Sequence, residues 1–188
     1  MPTRLLSLLV VLAGGGAIPA AFAATAYVPN EGSATISVID TTTDQVTATI
    51  RHGKKPRGIA FLPDGSRAYV AAENADTVNV FDTANHEVIA RIKAGSRSNG
   101  VLAHPDGKRV FVTSGGKGTV QVIDPATNTI VQEIPVGRRP WNMALTPDGK
   151  KLYVACGRSN TVAVLDTATY KKIAEIPVGE LPWGVAIH

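Results

Sequence analysis

The stretch GIAFLPDGSRAYVAAENADTVNVFDTANHEVIARIKAG, Gly58–Gly95, decides how this chain folds. GIAFL is a short apolar run that ends at a Pro-Asp-Gly turn. RAYVAA follows, then the polar loop ENAD, and then TVNVFD alternates apolar and polar residues. TANH turns the chain again before EVIARIKAG alternates and closes the segment. Runs of this length, rich in Val, Ile, Thr and Tyr and bounded by Gly, Pro, Asn and Asp, are β-strands. Pro presets the backbone at the first turn position, Gly accepts positive φ, and Asp82 can accept backbone N–H groups of the turn after it. The segment therefore predicts four short antiparallel strands.

Its landmarks recur throughout the chain. The aromatic-Val pair stands at Tyr27-Val28, Tyr69-Val70, Phe111-Val112 and Tyr153-Val154, with 42 residues per step. The strand-ending Asp40, Asp82, Asp124 and Asp166 keep the same step, as do Gly53, Gly95, Gly137 and Gly179. Pro-Asp-Gly occurs at 63–65, 105–107 and 147–149. A repeat of this length carrying four strands is the signature of a propeller blade. The predicted fold is all-β, a β-propeller of four 42-residue, four-stranded blades over residues 24–188.

The segments AYVPNEGSATISVIDTTTDQVTATI, GIAFLPDGSRAYVAA, NTVAVLDTATYKKIAEIPVG and LPWGVAIH resemble the YVTN-type (YncE-like) β-propeller repeat family. The resemblance covers the chain from residue 24 onward and is specific for fold, not for chemistry. Only the first repeat carries Tyr-Val-x-Asn, and four repeats stand where the family commonly has about seven blades. The chain also looks like exported propellers that accompany quinone-dependent alcohol oxidation. That likeness implies a protein partner of periplasmic oxidative metabolism.

Residues 1–23 read as a signal peptide. MPTR is a basic start, LLSLLVVLAGGGAI an apolar core, and Ala21-Phe22-Ala23 a small-x-small cleavage site. The apolar run is shorter than the ~20 residues a membrane span needs. Cleavage would remove Arg4 from a formal net charge of +4, leaving a mildly basic chain. The expected location is the periplasm or outside the cell. One cysteine excludes an internal disulfide.

The repeat is out of phase with the chain. TAYVPN matches the second strand of a blade, and WGVAIH at the C-terminus matches RGIAF, the first strand of one. The offset predicts that residues 184–188 complete blade one. They would do so either in a four-bladed ring or, between two chains joined head to tail, in an eight-bladed dimer; a truncated reading frame is the third reading of the same offset.

Catalytic patterns are scarce. His52, His86, His104 and His188 fall at different phases of the repeat, and no metal-binding spacing occurs. No G-x-S-x-G elbow is present. The GGKG run at 115–118 joins two strands rather than opening a helix, so it lacks phosphate-loop context. Cys156 fills a column held elsewhere by Asn30, Ala72 and Ser114, and reads as a small buried filler. No cofactor or metal is expected.

One face remains. Loops after the second and fourth strands share it, and the blade-joining loops read HGKKPRG (52–58), AGSRSNG (94–100), VGRRPWN (136–142) and VGELPWG (178–184). They carry Lys54, Lys55, Arg57, Arg97, Arg138 and Arg139 against Glu180, with Trp141 and Trp183 at equivalent positions. These eight cationic and tryptophan side chains are the expected binding residues. They would serve a non-enzymatic module that presents basic, Trp-containing loops to a protein or anionic partner. Two alternatives stand beside it: a propeller hydrolase or lactonase acting at the channel mouth, by fold analogy, and a binder of anionic polymer or single-stranded nucleic acid.

Overall fold

The computed structural model describes residues 24–188; the signal-peptide assignment falls outside them. The described chain forms fifteen strands in four antiparallel sheets. Blade one holds β1 (Thr25–Asn30), β2 (Thr35–Asp40) and β3 (Gln45–Arg51). Blade two holds β4 (Pro56–Phe61), β5 (Arg67–Ala72), β6 (Thr77–Asp82) and β7 (Val88–Lys93). Blade three holds β8 (Ser98–Ala103), β9 (Val110–Ser114), β10 (Thr119–Asp124) and β11 (Thr129–Pro135). Blade four holds β12 (Pro140–Leu145), β13 (Lys151–Cys156), β14 (Thr161–Asp166) and β15 (Lys171–Pro177).

Local chemistry sets each blade. Asp64, Asp106 and Asp148 accept the backbone N–H two residues on, at 2.9, 2.8 and 3.0 Å. Gly65, Gly107 and Gly149 sit at φ of 70°, 69° and 71°, the left-handed geometry that this turn needs. Asp40, Asp82, Asp124 and Asp166 make the Asx turns expected of them, as in Asp40 Oδ1 accepting Thr42 N at 2.7 Å. A β-bulge follows Val38, Val80, Val122 and Val164, one repeat apart each time, and increases strand twist at the same place in every blade.

Packing between blades is also periodic. Ile50 of blade one joins Ala68 and Val70 of blade two in one buried cluster. Ile92 and Ala94 of blade two join Val110 and Val112 of blade three. Ile134 and Val136 of blade three join Leu152, Val154 and Cys156 of blade four. Polar tethers cross the same joints. Tyr27 Oη lies 3.3 Å from His86 Nε2, and Tyr69 Oη donates to Asn128 Oδ1 at 3.0 Å. Arg67 donates to Pro125 O at 2.7 Å, and Arg109 to Thr167 O.

The chain end departs from the expectation. Residues 184–188 form no strand and do not complete blade one, which has three strands among the described residues. Asn142 N donates instead to Trp183 O at 3.2 Å. That places the C-terminal segment against β12 as the inner strands of successive blades lie against one another. Packing against the preceding blade is local and immediate, and it carries the segment onward along the arc. No strand pairing joins blade one to blade four.

Candidate functional site

The basic loops owe their shape to one backbone conformation. Lys55, Arg97, Arg139 and Leu181 occupy the same repeat position at φ of 51°, 58°, 54° and 50°. A left-handed non-glycine residue is costly and persists where its surroundings hold it. Here the carbonyls of Lys55, Arg97 and Arg139 accept N–H groups of Glu73, Gly115 and Gly157 from the loop after the second strand, at 3.0–3.1 Å. Each blade-joining loop is thereby locked to a neighbouring loop on the same face.

That neighbouring set of loops carries charges that change the face. Arg57 Nε and Nη2 both donate to Glu73 Oε2, at 3.0 and 2.7 Å. Glu31 lies 3.1 Å from both Lys55 and Arg57, and the Lys55 hydrogen bond holds its carboxyl below the ordinary carboxylate range. Lys55 and Arg57 are therefore internally neutralised. Lys54 is exposed and lines a separate hollow with Glu31 and Asn74.

Arg97, Arg138 and Arg139 are brought together with Arg158, which sequence reasoning passed over. They line one open cleft of about 550 Å³ between blades three and four. Among the described residues, none of these four guanidinium groups lies within ion-pair distance of a carboxylate. Lys117 and Lys172 also line the cleft but are matched, by Glu133 at 2.9 Å and Glu175 at 2.7 Å. Arg138 N donates to Ser159 Oγ at 2.7 Å, which fixes the cleft wall. The N–H groups of Gly115, Gly116 and Gly118 are spent on backbone carbonyls. The GGKG turn thus spends these three N–H groups within the fold, and Arg97, Arg138, Arg139 and Arg158 remain as cations of the lining that pair with no carboxylate. Glu31, Glu73, Lys117 and Arg158 all belong to loops after second strands. Counting those loops alongside the blade-joining ones was the signal that finds them.

The two tryptophans meet. Trp141 and Trp183 stack with centroids 4.2 Å apart and planes inclined at 34°. Arg139 Cζ lies 5.8 Å from the Trp141 centroid, within cation–π range. Trp141 fits because Gly157 lies beneath it: a Cβ there would stand 2.4 Å from the indole. Trp183 is 57% exposed. It shares an axial cavity of about 360 Å³ with Pro29, Arg57, Asn99 and Asn142, so this cavity draws on every repeat.

Other titratable groups are structural. Cys156 is wholly buried, and burial pushes its thiol up to about 11. His52 is buried, accepts Asn79 Nδ2 at 3.2 Å, and is pushed down to about 4 by burial and then by Arg91. His104 sits in a turn with Nε2 3.0 Å from Gly149 O. Among the described residues no group of three or more His, Cys, Asp or Glu side chains is placed to share a metal ion.

The fold is similar to that of several solved proteins. Hydrazine synthase of Kuenenia stuttgartiensis superposes with a TM-score of 0.76 at 27% identity, over 81% of this chain and 45% of that one. A functionally unknown protein from Desulfotomaculum acetoxidans DSM 771 gives 0.76 at 19% identity, over 88% and 59%. A protein from Bacteroides uniformis ATCC 8492, provisionally described as a 6-phosphogluconolactonase, gives 0.72 at 24% identity, over 84% and 52%. The chain thus spans about half the length of these structures. No curated protein matches it. Residues 26–171, which reach from blade one into blade four, match the family described as Lactonase, 7-bladed beta-propeller, and the chain belongs to that β-propeller family.

Proposed function

We propose that this protein is an exported, YVTN-type propeller that binds anions rather than turning over a substrate. Its ligand is a phosphate- or carboxylate-bearing molecule, or the acidic segment of a periplasmic partner, held in the cleft between blades three and four. The observation that carries this reading is the gathering of Arg97, Arg138, Arg139 and Arg158 around one cavity without matching carboxylates. Like charges converging on a concave wall reinforce one another and concentrate anions there. Guanidinium groups also match carboxylate and phosphate oxygens in bidentate fashion. The cleft volume lies within the range of small-molecule sites. Calorimetric titration at low salt with pyrophosphate, citrate, an acidic peptide and a single-stranded oligonucleotide tests it. Saturable binding that Arg97→Ala with Arg138→Ala abolishes supports the proposal. Absence of binding by all four probes, or binding indifferent to those changes, overturns it.

A second reading, hydrolysis of an anionic lactone in the same cleft, is favoured by the family membership and by Glu175, whose carboxyl lines the cavity. Lys172 pairs with that carboxyl at 2.7 Å and holds it below its ordinary range. Turnover in a panel of phosphorylated and neutral sugar lactones, lost in Glu175→Gln, would select this reading over simple binding.

A further inference from the structure

The hollow beside Lys54 and the cleft beside Arg138 are one place in the repeat, met twice. Each has a volume of about 550 Å³. The first is lined by Glu31, Gly32, Ala34, Lys54, Lys55 and Asn74. Two 42-residue steps on, these positions are Gly115, Gly116, Gly118, Arg138, Arg139 and Arg158, and every one of them lines the cleft. At the joint of blades two and three, Ser96 stands in the place of Lys54 and Arg138, while Glu73 and Asp76 stand in that of Gly115 and Gly118. That middle joint sets two carboxylates against Arg97.

One column separates the two hollows in charge. In the first, Glu31 reaches Lys55 Nζ at 3.1 Å and holds one of the two lysines in an ion pair. In the cleft, Gly115 takes the place of Glu31, and Arg139 that of Lys55. Among the described residues Arg139 has no carboxylate within ion-pair distance. Its guanidinium lies instead 5.8 Å from the Trp141 ring, and Trp141 occupies the repeat position of Arg57. A glutamate at 115, carried as Glu31 is, would therefore meet Arg139 and no second cation of that loop.

Backbone geometry does not ask for glycine at 115. Gly118 sits at φ of 72°, where a side chain is strained, but Gly115 lies outside the left-handed region. Its N–H donates to Arg97 O at 3.0 Å, as Glu73 N donates to Lys55 O at 3.1 Å one repeat earlier. The column therefore bears a full side chain on the same hydrogen bond. A Cβ at 115 would stand 3.0 Å from Arg97 O and 3.4 Å from Arg97 Cβ, which a shift of a few tenths of an ångström relieves. What glycine supplies at 115 is the absence of a carboxylate.

We propose, resting on the anion-binding reading of the cleft, that the two hollows are copies of one anion site, closed between blades one and two by Glu31 and open between blades three and four because Gly115 leaves Arg139 unmatched. The ligand class is a phosphate- or carboxylate-bearing molecule with at least two negative charges. Arg138, Arg139 and Arg158 share one lining, and guanidinium groups gathered on a concave wall favour a multiply charged ligand over a singly charged one. In the first hollow Glu31 occupies Lys55 and repels the same ligand, so Lys54 is left as its one unmatched cation.

Calorimetric titration with pyrophosphate at low salt tests this. The unaltered protein should take up one pyrophosphate per chain. Gly115→Glu should cost at least about tenfold more affinity than Gly115→Gln, because the two side chains match in bulk and differ in charge. Glu31→Gln should raise the uptake to two per chain, and Glu31→Gln with Lys54→Ala should return it to one. Far-ultraviolet circular dichroism checks that each variant is folded; if the Gly115 variants are not, the Glu31 variants decide alone. Equal losses from Gly115→Glu and Gly115→Gln overturn the proposal and leave the anion-binding reading standing, since the glycine is then needed for space. Uptake that stays at one per chain in Glu31→Gln overturns it as well. No uptake by the unaltered protein overturns both.

Discussion

Trp183 stacks on Trp141 at 4.2 Å although the two stand one whole repeat apart in sequence. The contact pins the C-terminal segment to blade four and sets Arg139, 5.8 Å from the Trp141 ring, at the rim of the basic cleft. One aromatic pair thus links the end of the chain to the site. Trp183→Ala should remove about 0.5–1.5 kcal/mol of aromatic pairing. It should also abolish the coupled-indole signal in far-ultraviolet circular dichroism and leave Trp141 emission quenched more readily by iodide. An unchanged spectrum would mean that the stack is not held in solution.

The arginines divide into paired and unpaired groups, and the division is testable. Arg138→Glu with Arg139→Glu should weaken anion binding by at least about tenfold, equivalent to ~1.4 kcal/mol. Lys108→Glu with Lys150→Glu, in loops away from the cleft, should leave it nearly unchanged. Binding should also fall steeply with salt, since screening acts over about 8–10 Å at physiological ionic strength. Equal losses from both pairs would mean a diffuse charge effect and no site.

Arg57 makes the contrasting case. Its guanidinium serves Glu73, whose side chain is 13% exposed, and Glu31. Arg57→Ala strands a mostly buried carboxylate, so it should cost about 1–3 kcal/mol of stability while leaving anion affinity intact. Denaturant melts and calorimetry together read the two effects. Lost affinity without lost stability would assign Arg57 to the ligand instead.

His52 gives the protein an acid-sensitive joint. Its ring is buried beside Phe81 and accepts from Asn79, which leaves the proton on Nδ1, an atom with no partner. With its folded-state value held near 4 against an ordinary 6.5, the unfolded chain takes up the proton first. The neutral ring's contribution is fully present above pH 6.5 and is lost as pH falls toward 4, on the order of 3 kcal/mol in all. His52→Val, the residue that the repeat carries at Val136, should flatten stability across that window. Equal pH dependence in both proteins would refute the assignment.

Ala34 holds φ at 58° in a column shared with Asp76, Gly118 and Asn160. Asp, Asn and Gly tolerate this region, whereas alanine brings its Cβ close to the following carbonyl. Ala34→Asn should therefore stabilise the protein by about 0.5–1 kcal/mol, read as a higher melting temperature. A drop would show that the loop after β1 depends on the alanine methyl.

The sequence by itself determined the repeat, the strand count per blade and the turns. Each of these is written in residues a few positions apart. Pro-Asp-Gly sets a backbone turn wherever it stands, an Asp at a strand end finds its own N–H groups, and alternation decides which side chains face a neighbouring blade. Cys156 was legible for the same reason, because its column holds small residues. The tertiary structure alone decided which charges count. Arg57 and Arg97 occupy alternating places in similar loops, yet Arg57 is neutralised by Glu73, sixteen residues on, and by Glu31 from the preceding blade, while Arg97 is left to the cleft with Arg158 from the blade beyond. Reach between loops of different blades depends on blade spacing and side-chain length, and neither is written in the period. The course of residues 184–188 was hidden for the same reason. The phase of the repeat says which strand that segment is, whereas the angle between blades decides which edge lies within its reach.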